Sequence, residues 1–239
     1  MRIEPSGIDG VELCGPGSDT FKAALLALGQ ADPDPALRAA LPWSVVVSNR
    51  TMRPISLLGV RFDMMGRSGK PYSVVQYADM LRQPGHSVIA ADGVRMLCAE
   101  PFYSELVRGR QPDSPEAAER ARMNIENLSQ ARNPRASIDC IAFDDGEFLG
   151  PDSRGAWDRL ATEREAEATL IESVTSTAHP GKWLEQELKK STSVRPRRIL
   201  AARLKVLFDT ESEAAAVECA RGHRLRIALW RHRPNLKRD

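Results

Sequence analysis

Four acids in one short stretch, Asp144, Asp145, Glu147 and Asp152, are the first residues whose type and spacing suggest chemistry. Calcium takes about six to eight oxygens, usually from alternating positions of one loop. The spacing here departs from the EF-hand pattern. Asp145-Gly146 is also accounted for as a tight turn, and Asp152 as the cap of a helix opening at Pro151-Asp152-Ser153. The structural reading is therefore preferred to a cation site. Nucleophilic catalysis needs a serine or cysteine beside a base and an orienting group. The four histidines are His86 in an expected turn, His179 before Pro180, and His223 and His232 near the end of the chain. None has the sequence context of a hydrolase, metalloprotease or catalytic-cysteine motif. GPGS at 15–18 could hold an anion at the start of the helix that follows. It lacks the Lys-Ser/Thr of a phosphate-binding loop and reads as a turn and cap.

The cysteines, Cys14, Cys98, Cys140 and Cys219, form no CxxC pair and no metal-ligand spacing. Cys98 and Cys140 lie in apolar strand-like runs, as small core hydrophobes do, with a bridge between them the minor alternative. No metal, cofactor or catalytic residue is assigned on this basis. The enzyme question stays open and leans to no.

Charge is uneven along the chain. Residues 195–239 hold twelve basic and five acidic side chains, whereas residues 1–40 hold three and six. Arg221, Arg224, Arg226, Arg231, Arg233, Lys237 and Arg238 follow one another with no acid between them and with Trp230 among them. Such a segment can contact phosphates and stack on bases, or lie on an anionic membrane. The plainer readings are a solvated helix face, or a surface that pairs with the acidic N-terminal residues. A net charge of +2 and the lack of a known binding module favour the plainer readings over nucleic acid.

These residues must be positioned by elements, and the pattern changes along the chain. Residues 1–40 read as an acidic arm with one short helix, Thr20–Leu28, capped by Ser18 or Asp19 and ended by Gly29. Residues 41–150 read as strands and turns: SVVVSN, ISLLGVRFDMM, SVVQYADML, which a short helix would also fit, and HSVIAA with DGVRMLCAE. A helix is expected from Ser114-Pro115 to Asn133-Pro134. The stretch Ala136–Gly150 reads as a hairpin around Asp145-Gly146. Residues 151–239 read as helices, the first spanning Ser153–Thr175, with Thr210 and Glu213 as a capping box for the last. At 239 residues the chain can bury a sizeable core without staples. No run of about 18 apolar residues occurs. No signal peptide is visible, so a cytoplasmic protein is the default expectation.

SVVVSNRTMRPISLLGVRF resembles an early hairpin of immunoglobulin-like sandwiches, and the turn in LRQPGHSVIA resembles one common in the same folds. IDCIAFDDGEFLGPDSRGAWDRL with the charged helix after it is similar to uncharacterised bacterial proteins that join such a sandwich to a helical tail. The resemblance covers about residues 42–175. It implies an Ig-like antiparallel β-sandwich followed by C-terminal helices, and transfers no activity or site residue. The expected function is a non-enzymatic interaction or scaffold protein, binding a protein partner or itself through the sandwich and helical region. The alternatives are nucleic-acid or anionic-surface binding by the basic segment, and an unrecognised hydrolase.

Overall fold

The computed structural model describes residues 1–30, 32–33, 35–79, 88–106, 115–190 and 195–231. The chain divides into two compact units, Met1–Arg154 and Gly155–Asn235. In the first, β1 (Arg2–Ile3), β2 (Val11–Cys14), α1 (Asp19–Ala27) and α2 (Pro35–Ala40) precede β3 (Ser44–Asn49), β4 (Ile55–Met65), β5 (Pro71–Asp79) and β6 (Val94–Cys98). Two helices, α3 (Pro101–Leu106) and α4 (Pro115–Ser129), separate β6 from β7 (Arg132–Phe143) and β8 (Phe148–Leu149). The second unit is helical: α5 (Ala156–Ser176), α6 (Pro180–Lys189), α7 (Arg195–Thr210) and α8 (Glu213–Arg231).

The strands form two sheets. One has the order β1-β7-β4-β5, with β8 also on β7; the other is β2-β3-β6. The long strand β4 is buried throughout Ile55–Val60 and alternates from there to Met65. Leu58, Val60, Phe62 and Met64 enter the core, while Arg61 and Asp63 on the other face stay half-exposed. Both sheets bury their apolar faces in one core, joined by Phe21 of α1, Leu37 of α2, Tyr103 of α3 and Ile125 of α4. Each fully buried Leu, Ile or Phe there contributes roughly 1.5–3 kcal/mol from removal of apolar area from water.

Several expectations change. The larger sheet is mixed, not purely antiparallel, because β1 runs parallel to β7, whereas β2-β3-β6 is antiparallel throughout. Helices are not confined to a tail, since α1 to α4 belong to the first unit. Residues 1–40, read as an arm, supply β1, β2, α1 and α2 to the shared core. β3 and β4 follow each other closely yet do not pair: β3 lies between β2 and β6, and β4 between β7 and β5. The residues of β3 are buried throughout, as in a strand covered on both faces. The Asn133-Pro134 step is not a helix end. α4 stops at Ser129, and Asn133, at φ 51°, is the second residue of β7. The expected turn at Gln83–His86 lies outside the described residues.

In the helical unit, Leu170, Ile171 and Val174 of α5 pack with Leu184 of α6, Leu200 and Leu204 of α7, and Ala220 of α8. α5 begins at Ala156, after Gly155 in the left-handed region at φ 61°, and not at Pro151. The cap of α8 is Ser212, whose Oγ accepts from the Ala215 amide at 3.1 Å. Thr210, expected to cap, lies inside α7 and donates its hydroxyl to the Val206 carbonyl. Among the described residues no helix is long and apolar enough to cross a membrane.

Candidate functional site

The grouping of titratable side chains centres on an aspartate in the middle of an apolar strand. β7 reads Ile138-Asp139-Cys140-Ile141, and its pairing with β4 shifts register here: Gly59 faces Cys140, while Val60 faces Ile138. Asp139 is the extra residue of a β-bulge, a device that re-aims a side chain. It is fully buried. Its carboxylate accepts from the Ser153 amide at 3.1 Å and, at the long distance of 3.4 Å, from the Tyr77 hydroxyl. Its backbone carbonyl accepts from the Asp152 amide at 2.9 Å. Two glycines allow this crowding. A Cβ on Gly59 would sit 2.7 Å from Cys140 Sγ and 2.9 Å from the Tyr77 ring. Gly150, at φ 107°, brings its Cα so close that a Cβ would lie 2.6 Å from the Asp139 carbonyl oxygen.

Donor atoms of Asp139, Cys140 and Asp152 lie within 4.8 Å of one another, the one such group of three among the described residues. A thiolate with two carboxylates is a donor set that suits zinc, yet a structural zinc site uses four ligands. The bonds just given assign the Asp139 carboxylate a local task. It fastens the strand bulge to β5 and to the segment leaving β8. Nothing in the sequence spacing joins Asp139 to Tyr77, 62 positions away. The available signal was an acid inside the apolar run Ile138–Phe143, where an unpaired charge would be costly.

The acids weighed as a cation loop are engaged separately, as the preferred structural reading has it. Asp145 and Glu147 both hold Arg53 of the β3–β4 link, at 2.7 Å and 2.6 Å. The Arg53 guanidinium also lies 4.1 Å above the Phe143 ring. Its hydrogen bond to Asp145, with that of Glu147, raises its pKa against the opposing effect of burial. Asp152 belongs instead to the Asp139 group and does not cap α5. The turn itself is as expected: the Gly146 amide donates to the Phe143 carbonyl, and Gly146 adopts φ 91°. On the other side of Arg53, the buried Asn49 side chain donates to the carbonyls of Arg53 and Ala90 and accepts from Thr51. This knits the link 50–54 to neighbouring turns.

GPGS at 15–18 directly follows β2. Ser18 caps α1, its Oγ accepting from the Phe21 amide at 3.1 Å. Of the histidine side chains, only that of His179 is described; it is exposed and caps nothing. None of the four cysteines is in a disulfide. Burial of Cys98 in β6 pushes its thiol up to about 11. Of the basic segment, Arg221 is exposed on α8 and lies 3.9 Å from Glu218. Arg224, Arg226 and Arg231 fall on the α8 backbone, but their side chains lie outside what is described. Arg233, Lys237 and Arg238 lie outside the described residues altogether.

The remaining surface of note is the edge strand β5. Among the described residues it bonds to β4 and to no other strand. Ser73, Val75 and Tyr77 face away from the core, across from Asp63, Arg61 and Gly59. Ser73 donates its hydroxyl to the Asp63 carboxylate, which also accepts from the Arg61 guanidinium.

No protein-family model, curated protein or solved structure matches this chain.

Proposed function

We propose that the chain is a non-enzymatic interaction or scaffold protein and that its first unit is an Ig-like sandwich carrying inserted helices. The strand order supports the fold. β2, β3 and β6 correspond to strands A, B and E of such a sandwich, and β5, β4, β7 and β8 to C′, C, F and G. The parallel β1 and the helices α3 and α4 between E and F are additions to that plan. The observation that carries the function is that, among the described strands, β5 pairs with β4 alone, its Ser73 carbonyl accepting instead from the Arg154 guanidinium at 3.2 Å, a contact that an added strand would replace. Nine residues, Pro71–Asp79, carry no charged side chain before Asp79 and no proline after Pro71. Natural edges that must stay unpaired are usually interrupted by charge, proline or a bulge. An uninterrupted edge suits a partner strand added through main-chain hydrogen bonds.

The test uses the full chain and Val75→Glu in parallel low-salt pull-downs, each with and without nuclease. The new carboxylate faces Arg61 across the strand pair, so the fold tolerates it while the edge gains a charge. A protein retained by the original chain, insensitive to nuclease and lost with Val75→Glu at unchanged thermal stability, supports the reading. Equal retention by both chains refutes the edge. Recovery that disappears with nuclease refutes the protein-partner reading and points to the basic segment.

A further inference from the structure

We draw no further inference here: the strongest candidate, the apolar cavity of about 600 Å³ bounded by Ile3 of β1, Leu13 of β2, the Gly15–Ser18 turn and Pro42, carries nothing because nothing in the structure shows what covers it.

Discussion

Asp139 illustrates how a single buried charge is accommodated. Its carboxylate is fully buried, and the Ser153 amide donates to it. Asp139→Ala removes this hydrogen bond to a charged acceptor, at a cost of about 1.5–3 kcal/mol. Asp139→Asn keeps an acceptor oxygen and should cost less. Urea unfolding of the two variants checks this, and equal losses would contradict the hydrogen-bonding account. Glu187 in the helical unit is a second case. It is 2% exposed and receives Arg197 through two bonds, at 2.6 Å and 3.2 Å, and Lys190 at 2.8 Å. Arg197→Met removes the fork and leaves the buried carboxylate with Lys190. A loss of about 3 kcal/mol is expected, the lower end for a broken buried pair because one cation remains.

The same scale sets a pH dependence. Burial raises the Cys98 thiol from its ordinary 9.0 to about 11. The folded chain therefore favours the neutral thiol. That contribution is complete below the unfolded value and is lost as pH rises through the folded one. The stability of the original chain should fall between pH 9 and 11 more steeply than that of Cys98→Ala, as measured by urea midpoints across that range. Parallel curves would contradict it.

At the scale of elements, the turn after β8 depends on one glycine. Gly150 combines φ 107° with a backbone oxygen 2.6 Å from where a Cβ would stand. Backbone cannot swing aside as a side chain can. Gly150→Ala should therefore destabilise the first unit by more than the roughly 1 kcal/mol that separates glycine from alanine in ordinary settings. Thermal unfolding followed by tryptophan fluorescence measures it, and an unchanged midpoint would show that the turn relaxes. Elements of this kind were partly legible. The β7–β8 turn could be read from Asp145-Gly146, and α1 from Ser18 with its apolar spacing, because the signals are local. The cap of α8 was misread by two positions, since Thr210 and Ser212 are both good cap residues and only the end of α7 decides between them. The start of α5 was misread because Pro151-Asp152-Ser153 looks like a helix opening, whereas Asp152 and Ser153 are engaged by Asp139 across the chain.

For the whole molecule, alternation in Ile55–Met65 and helix-forming composition after residue 155 made a β-rich part and a helical part legible. Strand order was not, because it depends on contacts such as Arg53 with Asp145, 92 positions apart. The N-terminal residues were read as an arm for the same reason: β2 is only four residues long, and its partner β3 lies more than thirty positions further on. The candidate site shows the sharper limit. Acids adjacent in sequence suggested a cation loop, but folding pairs two of them with Arg53 and sends Asp152 to Asp139. A calcium titration should accordingly leave the amide resonances of Phe143–Glu147 in place, because the guanidinium already occupies the carboxylates. The functional proposal rests on one feature, a sheet whose last strand among the described residues, β5, carries no charge or proline between Pro71 and Asp79. Hydrogen exchange of the β5 amides, compared between the full chain alone and the chain bound to its captured partner, tests that feature most directly. Slowed exchange within Ser73–Ala78 on binding is the expected result; unchanged exchange there, with protection appearing elsewhere, would contradict it.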